Sequence, residues 1–248
     1  MTRETEAAPG FITHPLLAEL GIDHGFGTRS AQAPENLRRP HQVHGSAVVQ
    51  AGAIDPSAPQ DADAVVSDDP ALPVGVITAD CVPILVASAS GAVVVAIHAG
   101  WRGLAQGVVA AGVRALIGLA GSRDGSVGVI GPSIGRCCYE VDAPVMDPLR
   151  ERFGSALSEA AVLSRPGHHR LDLGQLVKVD LVRSGIARER VGLVDRGCTA
   201  CDPERFHSYR RDGALAGRLI HYARPRALSG AGEPGPGPLR LDSSGAGF

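Results

Sequence analysis

"VPILVASASGAVVVAIHAGWRG" covers residues 82–103. Two apolar runs rich in β-branched residues flank a short Ala-Ser-Gly break. Each run is too short for a buried helix and is apolar at nearly every position, the pattern of a strand covered on both faces. Read as a β-hairpin turning at Ala89 and Ser90, the stretch puts Cys81 directly opposite His98. Their Cβ atoms would then lie about 4.5–5.5 Å apart, a separation that suits two ligands at about 2.0–2.3 Å from one zinc ion. A turn displaced by one residue would leave the pair as diagonal neighbours, still within reach. Pro83 removes a ladder donor and points to an edge or a bulge. After His98 the chain runs into "GWRG" (100–103), a small-residue turn leading to a helix expected to start near Leu104. The backbone N–H groups of that helix start, with Arg102, are candidates for holding an anion.

Outward from this hairpin, short β-rich runs recur: SAVVQAG, ADAVVSD, LPVGVITAD, SVGVIGP and RVGLVDR. Helical patterns lie between some of them. LAQGVVAAGVRALIGLAG places Leu104, Val108, Ala111, Ala115 and Leu119 at three-to-four spacing, which predicts one amphipathic helix. DAPVMDPLRERFGSALSEAA and DLGQLVKVDLVRSGI predict two more. The class is mixed α and β, with a sheet covered on both sides. Residues 11–223 are expected to form a single domain, because no linker divides them. Residues 224–248, rich in Gly, Pro, Ser and Ala, are expected to be a disordered tail.

Composition narrows the partners. The chain has 248 residues, 44% of them hydrophobic, with a formal net charge of −2. That balance gives no reason to expect nucleic acid or a membrane surface as partner. No apolar run approaches the roughly 20 residues that span a bilayer, and the start MTRETEAAPG lacks a secretion signal pattern. A cytoplasmic protein, monomer or homodimer, is expected. Five cysteines, an odd number, argue against a disulfide framework and for reduced thiols with metal or catalytic uses.

A third ligand candidate sits in HQVHGSAVV, where His44 precedes a glycine and a strand. Two imidazoles and one thiolate with an open fourth position are the donor set of catalytic zinc. The same residues also fit quieter roles: a histidine that hydrogen-bonds at a strand end and a cysteine that packs as a small hydrophobe. Asp80 is either an orienting group for the site or a strand-end cap, and Asp61 and Asp63 read as loop-turn residues. Arg210 and Arg211, in SYRRDG, offer bidentate forks suited to phosphate or an ordinary surface salt bridge. Trp101 either stacks on a ligand or covers the core. Cys137 and Cys138 are adjacent and so rarely bridge each other, and structural burial is expected for at least one of them. Cys198 and Cys201 form a C-x-x-C with no second pair at zinc-ribbon spacing, so a structural role without metal is expected. His168 and His169 are expected to be exposed in a Pro-Gly loop.

The runs QVHG (42–45), DADAVV (61–66), TADCVPILV (78–86), IHAGWRG (97–103), GPSIGRCCYEV (131–141) and SYRRDG (208–213) together resemble the YfiH-like, laccase-domain family. Its members include proteins described as purine nucleoside phosphorylases, polyphenol oxidases and peptidoglycan editing factors. The resemblance runs from HGFGTR (24–29) to about residue 218 and implies mixed sheets layered between helices. It implies zinc ligands at His44, Cys81 and His98, with Cys81, His98 and Arg102 as the catalytic set. Arg102, Arg210 and Arg211 are then the candidates for phosphate. The implied activity is phosphorolysis of adenosine, inosine and methylthioadenosine, with adenosine deamination beside it. Where the family more often has a second aromatic residue, this chain has His207, of unassigned role. The alternatives are copper-dependent polyphenol oxidation, cysteine hydrolysis through Cys81 and His98, and editing of peptidoglycan precursors. Copper fits two histidines and a cysteine. A multicopper laccase, however, needs paired His-x-His elements, and this chain has nine histidines and none so arranged.

Overall fold

The computed structural model describes residues 9–194 and 197–228. Most of the expected tail, residues 229–248, lies outside the described residues. Before it, Arg226 N still donates to Gly91 O, so specific contacts continue past residue 223.

Two sheets carry the fold. The four-stranded sheet uses β1 (Phe11–Ile12), β2 (Asp23–Gly27), β5 (Val74–Thr78) and β13 (Leu219–Arg224), in the order β1-β2-β13-β5. The six-stranded sheet uses β3 (Val48–Gln50), β4 (Ala64–Ser67), β6 (Val82–Ala87), β7 (Val94–Ala99), β8 (Val127–Ile130) and β12 (Val191–Leu193). Its order is β12-β8-β6-β7-β4-β3, with parallel pairing at both edges and antiparallel pairing inside. A small third sheet joins β9 (Glu140–Val141), β10 (Ala161–Arg165) and β11 (His168–Leu171).

The central strands explain the layering. On β7, Val95, Ile97 and Ala99 face one core, while Val94 and Ala96 face another. The first core is closed by α2 (Trp101–Gln106), α3 (Val108–Ala120), α4 (Ala143–Phe153), α5 (Ala156–Ala160) and α6 (Leu173–Arg183). The second is closed by the four-stranded sheet, through Phe26, Val74, Val76 and Ala223. A strand buried on both faces must be apolar on both, which is what the uninterrupted runs signalled. The architecture is mixed α+β.

Four local expectations are corrected. The hairpin does not turn on two residues. Ser88 and Val93 close a four-residue turn: Ser88 N donates to Val93 O, and Ser88 Oγ accepts from Val93 N. The register therefore pairs Pro83 with His98 and Val82 with Ala99. Cys81 lies one diagonal step from His98, and the next step in the register puts Gly100 opposite Cys81. Pro83 sits in a central strand, where it keeps the acceptor half of its pairing by receiving Gly131 N–H.

The long helix is two. It begins at Trp101 and breaks at Gly107, whose φ of +86 reverses the chain between α2 and α3. The buried stripe is Leu104, Val108, Val109, Gly112, Val113 and Leu116, whereas Leu119 is exposed. His168 and His169 are not in an exposed loop; they begin β11, half-buried.

Candidate metal centre and its cavity

The chain crosses from the end of β5 to the start of β6 through only Ala79, Asp80 and Cys81. Asp80 makes this crossing with φ +87, a left-handed conformation that costs a non-glycine residue about 1–3 kcal/mol. Its carboxylate holds the bend: it accepts from Thr199 Oγ1 at 2.6 Å, Ser208 Oγ at 3.0 Å and Arg210 N at 2.6 Å. Ser208 is the N-cap of the short helix α7 (Tyr209–Asp212). Asp80 is thus a buried strut between the crossing and that helix.

On the facing side, His44 also has a positive φ, +61. Asp63, fully buried at the head of β4, pins the loop that carries it. Its two oxygens accept the backbone N–H groups of Val43, His44 and Gly45 at 3.2, 3.0 and 2.6 Å. Asp63 Oδ1 also meets His98 Nδ1 at 2.7 Å. This contact assigns the Nδ1 proton and leaves Nε2 to face the site. Burial alone would raise the Asp63 carboxyl, but the bonds from His98, Gly45 and Val43 hold it below its ordinary value. The expectation that Asp63 is a loop-turn residue is therefore corrected, while exposed Asp61 pairs with His41 at 2.7 Å. Gln42 supports the same loop by exchanging two 2.8 Å amide bonds with the Ile77 backbone.

These supports bring His44, Cys81 and His98 together. One donor atom from each lies within 4.8 Å of the others. Cys81 Sγ is 3.9 Å from His44 Nε2, and the two imidazoles meet edge to face at 4.8 Å between centroids. Burial would raise the Cys81 thiol, but hydrogen bonds from His44 and His98 bring it down to about 6. Burial would lower His98, but Asp63 and Cys81 raise it to about 9. The trio is thus a thiolate beside two histidines, and once His98 releases its Nε2 proton as an ion enters it has the donor chemistry of a zinc or copper centre with room for a further ligand. Gly100 makes that room: a Cβ there would lie 2.9 Å from His44 Cδ2 and 3.1 Å from Cys81 Sγ. Its φ of −77 is ordinary, so the requirement is space and not backbone freedom.

The trio forms the floor of a cavity of about 510 Å³. Trp101 and Tyr139 supply aromatic walls, and Arg102 and Arg210 supply charge. The Arg102 guanidinium lies 4.3 Å over the Trp101 ring, with no hydrogen-bond partner among the described residues. Arg210 donates to Cys138 O and Glu140 O and stacks 5.1 Å over Tyr139. Burial raises the Tyr139 hydroxyl well above its ordinary value, and the charge on Cys81 adds to this, so it stays a proton donor. Arg211 does not reach the cavity. Its guanidinium is tied to Asp212 and to the carbonyls of Thr199, Ala200 and Phe206. His207 packs against Gly217, away from the cavity lining.

Comparison with known proteins follows the same outline. The sequence profile of the family described as multi-copper polyphenol oxidoreductase laccase matches residues 27–224. A protein named purine nucleoside phosphorylase from Xylella fastidiosa is 36% identical over 176 residues, 69% of this chain and 65% of that protein. The chain thus spans just under two thirds of that relative's length. A Streptomyces coelicolor protein of the same name is 38% identical over 223 residues, 86% of this chain and 82% of its own. The crystal structure of YlmD from Geobacillus stearothermophilus superposes with a TM-score of 0.78 at 26% identity, covering 90% of this chain and 98% of that one. The Bacillus licheniformis hypothetical protein YfiH gives 0.78 at 25% identity, covering 88% and 97%.

Proposed function

The chain belongs to the YfiH-like, laccase-domain family, and on that premise we propose that it is a metal-dependent purine nucleoside phosphorylase. The substrates we assign are adenosine, inosine and methylthioadenosine, with adenosine deamination as a companion activity. The observation that carries this reading is one cavity that joins a His-Cys-His donor set, two aromatic walls and Arg102, whose guanidinium has no hydrogen-bond partner among the described residues. The donor set fits zinc at His44, Cys81 and His98. A zinc ion held there supplies Lewis acidity beside the substrate. The thiols, all unbridged, suit a reducing, cytoplasmic setting.

In phosphorolysis a phosphate oxygen forms a bond to C1′ of the ribose while the C1′–N9 bond breaks and its electron pair passes to the base. The chain's own residues support each part of this. Arg102, whose fork makes no hydrogen bond among the described residues, holds the phosphate. Trp101 and Tyr139 provide flat surfaces for the purine, and the Tyr139 hydroxyl, kept protonated, donates a hydrogen bond to the departing base. Asp63 and Asp80 touch no substrate in this scheme; they position the loops that do. The test is base release from each nucleoside with and without phosphate. Phosphate-dependent release of ribose 1-phosphate is expected, and its absence for every purine nucleoside ends the reading.

A second reading has its own observation. Without metal, Cys81 and His98 form a thiolate–imidazolium pair, which suits cysteine hydrolysis or the editing of peptidoglycan precursors. Metal content separates the two, because a metal-bound thiolate is not a free nucleophile. Copper oxidation of phenols is the weaker reading: among the described residues only one cluster of potential metal ligands contains histidine.

A further inference from the structure

The remaining four cysteines are not scattered. Cys137 and Cys138 follow β8 in a tight turn, and Cys198 and Cys201 lie some sixty residues later. The fold brings all four together, with one sulfur from each inside a 4.8 Å span. Cys201 Sγ is 3.5 Å from Cys137 Sγ and 3.3 Å from Cys138 Sγ. Four sulfurs about 2.3 Å from a tetrahedral zinc ion stand about 3.8 Å apart, so the cluster is close to a coordination shell. One sulfur meeting two others fits a shared centre better than pairwise bridges.

A backbone N–H group already faces one sulfur of the cluster. Gly135 N donates to Cys198 Sγ at 3.2 Å. Three guanidinium groups stand beside the cluster. Arg170 donates to Cys137 O, Arg210 to Cys138 O, and Arg211 to Thr199 O and Ala200 O. A divalent ion with four thiolates carries two net negative charges; Arg170 and Arg210 stand beside them, while Arg211 is already paired with Asp212 at 2.7 Å.

We propose that Cys137, Cys138, Cys198 and Cys201 bind one zinc ion in a closed, all-thiolate site, separate from the His44–Cys81–His98 centre. Four protein ligands leave no open position, which marks the site as structural. Its role follows from what it joins. The segment before Cys137 carries Ile134, and the one after it carries Tyr139. The segment after Cys201 carries Tyr209 and Arg210. All four residues line the cavity. Outside the cysteine sulfurs the two segments also meet through the isolated bridge of Ser133 with Cys198, the bond from Thr199 N to Ser133 O, and Arg210, which donates to Cys138 O and Glu140 O. The ion would staple one wall of the cavity.

The test reads metal and not turnover, so it is independent of the proposed activity. Full-length Cys81→Ala protein, purified without added metal or chelator, should retain about one zinc per chain. Its zinc-edge X-ray absorption should show sulfur ligands only. Wild type should carry two zinc ions with five sulfurs to two imidazole nitrogens, and Cys198→Ser should carry one. If Cys198→Ser does not fold, the first two measurements decide the matter. Loss of all zinc from Cys81→Ala with four freely titrating thiols overturns the proposal. So does a mass lowered by the hydrogens of disulfide formation with no metal bound, and so does iron in place of zinc.

Discussion

Asp63 Oδ1 sits 2.7 Å from His98 Nδ1 while the same carboxylate gathers three backbone N–H groups of the His44 loop. One buried side chain therefore fixes both imidazoles. Asp63→Asn keeps the shape but turns an NH₂ toward donors. Metal affinity should fall about 10–100-fold, the usual cost of losing such an orienting group. Chelator competition measures it; unchanged affinity would show that the loop holds itself.

Cys81→Ala should abolish metal at the His44–His98 centre and turnover together, because two imidazoles alone make a poor zinc site. Metal analysis beside a nucleoside assay checks this. Full activity in that variant would remove the centre from the chemistry.

The arginines should separate. Arg102→Lys keeps the charge and loses the fork. Phosphorolysis should weaken by about 1–3 kcal/mol, with adenosine deamination falling less because it needs no phosphate. Arg210→Lys loosens the carbonyls of Cys138 and Glu140 and the Tyr139 wall, so both activities should drop in parallel. Arg211→Lys should lower the melting temperature and spare the catalytic constants of the surviving fold. An equal loss of both activities in Arg102→Lys would end the division of labour.

His221 sets an acid limit on stability. It is fully buried, accepts Gly27 N–H at Nδ1 and meets Thr78 Oγ1 through Nε2. Burial, aided by the charge on His98, lowers it from 6.5 to about 3. Between those values the unfolded chain binds a proton that the folded chain refuses. Stability is complete above about 6.5 and falls as pH drops, at up to about 1.4 kcal/mol per pH unit. His221→Gln cannot titrate and should flatten that slope in denaturant titrations from pH 7 to 4. An identical slope would assign the acid loss to other groups.

Truncation after Leu228 should leave folding and turnover intact, since the last backbone bond from this end to the body of the described fold is Arg226 N to Gly91 O. A fall in turnover at an unchanged melting temperature would mean that residues 229–248 reach the cavity.

The sequence reveals much of this because strands buried on both faces must be apolar throughout. The runs around residues 82–99 therefore announce a covered sheet. Cys81 and His98 are readable as donors because they stand at the paired ends of β6 and β7 beside small residues, whereas His44 lies in a loop before β3 and is marked by the QVHG motif. The register is not readable to the residue: whether Ser88 closes the turn depends on its hydroxyl meeting Val93 N–H, which apolar pattern does not encode. Asp63 was hidden for a similar reason. Its role exists only because β4 pairs with β7, and nothing in DADAVV names that neighbour. The four-cysteine cluster was hidden by distance along the chain, since C-C and C-x-x-C become one group only after Ser133 and Cys198 are bridged.

Gly100 gives the candidate metal centre a switch that leaves the backbone alone. Its dihedrals are open to any residue, yet a single added carbon intrudes on His44 and Cys81 together. An alanine at this position would act as a built-in plug. It should produce a folded protein in which all three donors are present but His44 and Cys81 must move aside, and metal analysis beside a melting curve would separate what the protein owes to its architecture from what it owes to the proposed metal.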